Sequence, residues 1–371
     1  MLDINIRSIT SIAELDTIES IWRHLEERDK NATVFQSWLW NRTWCETVLG
    51  TRDRAQLNVL VAEGFDGQPR ALLPFFTEPL VGLPFKIMQF LGHKMSYHND
   101  ILLADCENVV FVEHLVDILS RSIGSGTLVH LRHLNHHSLF TKALAAKSLA
   151  DTQCPRVWAE QDPSINDQSQ RLGRSMKKTL KWSTNKLCRK FGDIEFTVIS
   201  GDKFTVAFDE MIRLHHLRFS SLQRNTVLTG SNLKFLRLVT SKLAESGSAE
   251  VLQLRINNAV IAAALMIRDK QRYFFVQSGL DPEFSIYSPM RLLLVRALSH
   301  AFDTLGYKIF DFGPGYEDYK YSWKSKVSTN DMCCLNSGGL IMPAIGYLYS
   351  EMFKRSLPKL SRKAEKAIKK L

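Results

Sequence analysis

The sequence predicts an α+β protein made of two tandem copies of one arrangement, each a mixed, mostly antiparallel sheet flanked by helices. Three observations predict it. Segments of period two alternate with segments of period 3.6, which separates strands from helices by the face each must bury. The order helix–helix–hairpin–strand–helix–strand occurs twice along the chain. A turn-rich polar stretch, Gln161-Asp162-Pro163-Ser164, lies between the two occurrences. The likeness of the halves is one of element order, without a residue-level repeat. A boundary near 155–170 gives a first domain 1–160, a second 161–340 and a basic helical tail 341–371.

In the first half a helix is expected from Ile12 to Glu27. The aromatic run Phe35-Gln36-Ser37-Trp38-Leu39-Trp40, with Trp44, gives a helix packed into a core. Leu57–Glu63 and Arg70–Phe76 are strands, and Phe65-Asp66-Gly67-Gln68 turns one into the other. Strands are expected at Ile87–Leu91 and Ile101–Ala104, a helix at Val109–Ser122, a strand at Thr127–Leu131 and a helix at Leu139–Leu149.

The second half opens with a basic amphipathic helix, Gln168–Phe191, and a helix at Phe208–Ser220. Val251–Ile256 alternates, with Leu252, Leu254 and Ile256 on one face. Asn257-Asn258 is a tight-turn signal. Ala259–Arg268 and Arg272–Ser278 complete a meander. The helix Pro289–Leu305, closed by Gly306, leads to the strand Lys308–Phe312. A last strand is expected over Met332–Ser337.

A chain of 371 residues, 45% hydrophobic and 23% charged, suits two soluble domains with well-buried cores. No stretch of 18 apolar residues occurs, so no membrane-spanning helix is expected. The start, Met1-Leu2-Asp3-Ile4-Asn5, lacks a basic n-region and an apolar h-region, which points to the cytoplasm. The six cysteines include no CxxC pair and are expected as reduced thiols. His130, His133, His136 and His137 share no spacing with a carboxylate, so no metal site is expected.

The net charge of +10 is clustered. Residues 171–190 hold eight Lys/Arg and no acid, and residues 354–371 hold eight against Glu365. Such clusters attract nucleic acid, anionic lipid or phosphorylated substrates, and they also occur as plain solvated helix faces. The tail begins apolar, with Ile341, Met342, Ile345, Tyr347, Leu348, Met352 and Phe353, and suits a helix on the inner face of a membrane.

Two consecutive elements concentrate the chemistry. The strand Lys308–Phe312 ends in Gly313-Pro314-Gly315, followed by Tyr319, Lys320 and Trp323. Glycine lets backbone approach a ligand closely, and strand-end loops carry function. Upstream, Ser288-Pro289-Met290-Arg291-Leu292 has helix-start grammar: Ser288 suits the N-cap and Pro289 the first turn. Such a terminus can hold a pyrophosphate, with Arg291 adding a cation.

The run Val251–Trp323 resembles the acetyltransferase fold of the GNAT superfamily. It is most similar to the BioF2-like branch, also labelled CelD-type (cellulose biosynthesis), and to the related FemAB transferases. That branch ends a strand in a pattern like Asp-Phe-x-x-Gly-x-x-x-Tyr-Lys-x-x-Trp, matched here by Asp311, Phe312, Gly315, Tyr319, Lys320 and Trp323. Phe35-Gln36-Ser37, Trp40, Trp44, Leu73-Pro74-Phe75, Gly92, Tyr97 and Asp100 look like the family's first half, so the resemblance covers most of residues 30–330. Met290 stands where the family commonly has glycine. The glycine-rich Gln/Arg-x-x-Gly-x-Gly/Ala loop of typical GNAT enzymes is absent, as in this branch generally.

The resemblance implies two tandem GNAT-like domains and an acyltransferase using acetyl-CoA or another acyl-CoA. The implied acceptor is an amine or a sugar-linked precursor of cell-surface polysaccharide. An alternative is a FemAB-like transferase taking its donor from aminoacyl-tRNA, with the basic helix favouring tRNA or an anionic membrane surface. A further one is an inactive RNA- or membrane-binding scaffold. Ser288, Pro289, Met290, Arg291 and Leu292 are then the donor site. Asp311 is a base or a turn residue, Tyr319 an acid or a packed aromatic, and Lys320 an oxyanion or acceptor ligand or a surface lysine. His215, Gly315 and Trp323 are expected to border the acceptor. His215 is adjacent to His216 on a helix, so at most one of the two faces a cleft.

Overall fold

A computed structural model describes residues 4–356 except 81, 107, 125, 146, 148–149, 316 and 337–341. In chain order the elements begin with β1 (Asn5–Ile9), α1 (Ile12–Thr17), α2 (Glu19–Arg28), α3 (Trp38–Thr47), β2 (Gln56–Glu63), β3 (Pro69–Pro79), β4 (Lys86–Phe90), β5 (Leu102–Leu103), α4 (Val109–Ser122), β6 (Thr127–Asn135) and α5 (Leu139–Ala145). β7 (Ala150–Glu160) leads to α6 (Arg174–Phe191), β8 (Ile194–Ile199), α7 (Phe204–Ser221), α8 (Gly230–Glu245), β9 (Ala249–Ile256), β10 (Ala259–Arg268), β11 (Arg272–Leu280), α9 (Pro289–Ser299) and β12 (Ile309–Pro314). β13 (Lys326–Asn336) and α10 (Met342–Ser356) follow.

The chain divides into two units, one of Met1–Pro155 with Ser328–Lys359 and one containing Arg156–Val327. The first unit has the strand order β1-β2-β3-β4-β6-β13, with β5 on β3. β4 and β6 run parallel, paired over Lys86–Met88 with Thr127–Val129. α4 makes the crossover and buries Phe111, Val112, Leu115, Val116 and Leu119 into this unit's core. The aromatic segment is tied in by hydrogen bonds: Trp22 Nε1 donates to the Gln36 carbonyl at 2.8 Å and Trp40 Nε1 to Ser96 Oγ at 3.0 Å. Ser37 caps α3, its Oγ accepting from Trp40 N.

The second unit has the order β8-β9-β10-β11-β12-β7. β8 to β11 form an antiparallel meander, turned between β9 and β10 by Asn257 and Asn258, both at positive φ. α9 crosses to β12, which lies parallel to β11 over Arg272–Phe274 and Ile309–Asp311. The core beneath it is built from Leu252, Leu254, Met266, Leu294, Leu298 and Phe310.

Several expectations are corrected. Ile18 interrupts the first helix, dividing it into α1 and α2. Gly173 separates α6 from a short 3-10 turn, Gln168–Arg171, so the basic helix starts later than its pattern suggests. β13 pairs with β6 in the first unit and α10 groups with it too, so neither follows the 161–340 and 341–371 divisions. Ser337 and residues 357–371 lie outside the described residues. Cys45, Cys106, Cys154 and Cys188 are free thiols. No helix among the described residues is long and apolar enough to cross a membrane.

Candidate active site

Among the described residues of the second unit, β11 and β12 are the parallel strand pair, and they mark the site. β11 and β12 pair over three residues and then part: β11 continues to Leu280 beside β10, and β12 to Pro314 beside β7. Where they part, β11 carries a bulge. Leu265 faces Gln277 while Met266 faces Phe275, leaving Val276 as the extra residue. A bulge bends its strand and re-aims the backbone, which opens the sheet at this point. β11 then runs through a 3-10 turn, Pro282–Tyr287, into α9.

The α9 start differs from its expected form. Ser288 sits in the left-handed region, at φ 52°, and its side chain caps nothing. An N-cap side chain reaches the N2 and N3 amides from extended backbone, and the left-handed turn removes that reach. The Ser288 carbonyl accepts from Arg291 N at 3.0 Å and from Leu292 N at 3.3 Å. Pro289 has no N–H, so Met290 N–H is the first-turn donor outside that return. The Met290 and Leu292 side chains pack on the core, and Arg291 is half-buried. Beside this start, α6 presents Trp182, stacked on Tyr287 at 6.5 Å, and Lys186, 4.7 Å from the Trp182 ring. Lys178, Lys181, Arg189 and Lys190 share the exposed face of α6, whereas Arg171 is buried and donates to Gln168 Oε1 and the Glu160 carbonyl.

Asp311 is fully buried. Its Oδ2 accepts from Arg156 Nε at 3.0 Å and Nη2 at 2.8 Å, and its Oδ1 from Gly313 N at 2.8 Å. Arg156 arrives on β7, opposite Pro314, and stacks over Trp158 at 5.2 Å. Arg272 stands close enough to interact with both Arg156 and Asp311, and burial foremost pushes its guanidinium below the ordinary range.

The Gly-Pro-Gly turn is held by the residues that follow it. Lys320 is 5% exposed; its Nζ donates to the Pro314 carbonyl at 2.7 Å and pairs with Glu317 at 3.0 Å. Tyr321 Oη donates to the Gly315 carbonyl at 3.3 Å. Gly315 has φ 135°, and a Cβ there would come within 2.4 Å of Glu317 Oε2 and 3.1 Å of Lys320 Nζ. Tyr319 is half-buried against the core. Trp323 is buried, stacks on Phe312 at 6.3 Å, and its Nε1 has no hydrogen-bond partner among the described residues.

His215 faces β11 from α7. Nδ1 lies 2.8 Å from the Ser278 carbonyl, which can only accept, so Nδ1 carries the proton. Nε2 lies 2.7 Å from Thr226 Oγ1. Burial holds the imidazole below its ordinary pKa, so the ring is neutral and Nε2 accepts from Thr226. Gly279 permits the approach of α7, because a Cβ would stand 2.3 Å from His215 N and 2.5 Å from the Met211 carbonyl.

This strand order, bulge and crossover have a known counterpart. Residues 174–321 match the profile of the acetyltransferase (GNAT) domain. No curated protein matches the chain. The fold is shared with FemX, at TM-score 0.59 and 11% identity over 88% of this chain and 96% of that one. It is also shared with the C-terminal domain of a protein assigned as a lysylphosphatidylglycerol synthetase from Agrobacterium fabrum, at 0.55 and 12% over 95% and 99%. A conserved protein of unknown function from Bacteroides thetaiotaomicron gives 0.52 and 12% over 90% and 100%. The chain thus has an α+β, tandem GNAT-like fold, and the acetyltransferase (GNAT) match lies within the second unit.

Of the expected residues, the structure brings Gly315 and Lys320 together, whereas Asp311 is paired with Arg156 and His215 with the Ser278 carbonyl. Arg156, Thr226 and Gly279 were not singled out by the sequence. Only Gly279, a glycine in a strand otherwise rich in bulky residues, carries a signal that could have found it. Among the described residues, no group of three or more His, Cys, Asp or Glu is arranged to hold a metal.

Proposed function

We propose that the second unit transfers an acyl group from acyl-CoA to an amine or hydroxyl of a precursor of cell-surface polysaccharide. The parting of β11 and β12 at the Val276 bulge carries this reading. A splayed parallel pair gives an extended thioester an entry between two strands, with α9 at its phosphate end. Arg291 and Lys186 supply positive charge at that end.

In this reading Asp311 works by positioning. Both of its oxygens are engaged, so it fixes the 313–315 turn against Arg156 rather than taking a proton. Lys320 holds the turn from the other side and places a cation where negative charge develops on the thioester oxygen. Tyr319 protonates the departing thiolate, and the acceptor loses its proton to water. His215, as a neutral ring, holds the loop around Thr226 beside the acceptor. Trp323 supports the loop by packing.

A second reading, an aminoacyl-tRNA donor, is favoured by the exposed basic face of α6 beside Tyr287 and Ser288. Thermal unfolding in acetyl-CoA and in aminoacyl-tRNA, side by side, separates the two. A ligand at 100 times its Kd stabilises by about 2.7 kcal/mol. Arg291→Glu should abolish the acetyl-CoA shift without changing the unliganded melting temperature. A shift with aminoacyl-tRNA alone refutes the CoA donor, and no shift with either refutes both.

A further inference from the structure

α10 carries apolar residues on two sides. On one side Ile345 and Tyr349 pack on Leu80, Ile87 and Leu128 of the first unit. The other side holds Tyr347, Leu348 and Met352, which follow one another at helical-turn spacing. These three are 57%, 61% and 71% exposed. Single apolar residues are ordinary on a surface, but three on one side of one helix form a patch. A helix that is apolar on both sides calls for a second apolar phase, because one packed side leaves the other in water.

The charge that follows selects the partner. Residues 354–371 carry eight Lys/Arg and one acid, Glu365, and so seven net positive charges. An anionic bilayer answers both features: its headgroups take the cations and its acyl boundary takes the apolar side. A second copy would set two such basic runs side by side, where like charges repel. A nucleic acid would neutralise the cations, but phosphates offer nothing to the aliphatic groups of Leu348 and Met352. Glu351 shares the outer side and is half-buried, which suits a shallow seat at the headgroup boundary. At 15 residues α10 is too short to span a bilayer, so it lies along the surface.

We propose that α10 docks on an anionic lipid bilayer, with Tyr347, Leu348 and Met352 in the acyl boundary and the basic run after it on the headgroups. This surface belongs to the first unit and does not rest on the transfer chemistry of the second.

Flotation of the full chain with vesicles of phosphatidylcholine, and with vesicles of an equal mixture of phosphatidylcholine and phosphatidylglycerol, tests the proposal. The chain should float with the mixed vesicles in preference to the neutral ones, and added salt should weaken the binding. Tyr347→Gln/Leu348→Gln/Met352→Gln keeps the charge and a good helix propensity, and should weaken partitioning at least about tenfold. Its melting temperature should match the parent's, since all three side chains are exposed. Lys366→Gln/Lys369→Gln/Lys370→Gln changes the sequence beyond α10, and it decides the matter if the first variant melts early. At about fivefold per cation it should weaken partitioning roughly 100-fold. No flotation with the mixed vesicles, equal flotation with neutral ones, or parent-like flotation of the lysine variant overturns the proposal. If the apolar variant floats like the parent but loses a concentration-dependent dimer, or loses binding to polyuridylate, the face belongs to a second copy or to RNA and the proposal falls.

Discussion

Asp311→Asn separates positioning from proton transfer. The substitution preserves size and an acceptor for Gly313 N, but it leaves Arg156 facing an amide instead of a carboxylate. Asp311 is fully buried and the Arg156 side chain is 10% exposed, so the orphaned cation has little access to water. Breaking a buried pair from one side costs about 3–5 kcal/mol. The Trp158 ring under Arg156 retains part of the environment, so about 3 kcal/mol is expected. For a unit of this size that lowers the melting temperature by roughly 6–12 °C. Arg156→Leu/Asp311→Asn should recover much of the loss, because no charge is then stranded. Calorimetric melts of the parent, both single variants and the double variant measure the coupling. Transfer assayed well below the melting temperatures should fall in proportion to turn order, without a change in pH profile. A parent-like melting temperature combined with complete loss of transfer across the pH range would refute the positioning role and make Asp311 a base.

Gly279→Ala should destabilise the second unit by about 3 kcal/mol or more, since α7 must move away from β11; urea midpoints report it. Lys320→Ala should lower turnover by a factor of roughly 100, and Lys320→Arg should restore part of it if a fixed cation matters; steady-state rates at saturating donor decide this. Acid should weaken the first unit. Burial holds His130 and His133 at about 3 and His93 well below its ordinary 6.5, so unfolding takes up protons and stability is lost as the pH falls below about 6.5. Asp100, raised by burial to about 7, opposes this: its contribution is present below 3.8 and lost as the pH rises through 7. Asp100→Asn should therefore steepen the loss between pH 7 and 5, measured by denaturant unfolding at both pH values.

Local patterning made most elements legible. The meander β9–β11, its Asn-Asn turn, α9 and β12 follow from period and punctuation, because each buries one face of its own residues. What escaped depends on partners far away in sequence. β7 has no counterpart among the expected elements, which pass from a helix ending near Leu149 to the linker at 161–164, yet Val157 and Ala159 are fully buried. Ser288 has the grammar of a cap, but the 3-10 turn before it imposes a left-handed backbone that grammar does not encode. Asp311 was legible as important and illegible in role, since its partner lies 155 residues away. The C-terminal basic run, 354–371, falls outside the described residues except for its first residues, which end α10.

The two outer strands have a consequence for biosynthesis. β7 precedes most of the second unit and pairs with its β12, whereas β13 follows that unit and pairs with β6 of the first. While residues 156–336 are being made, roughly 10–40 s at 5–20 residues per second, the first unit waits with β6 unpaired on that side. An open β-edge is a template for wrong partners, so this interval is the chain's time of greatest exposure to aggregation.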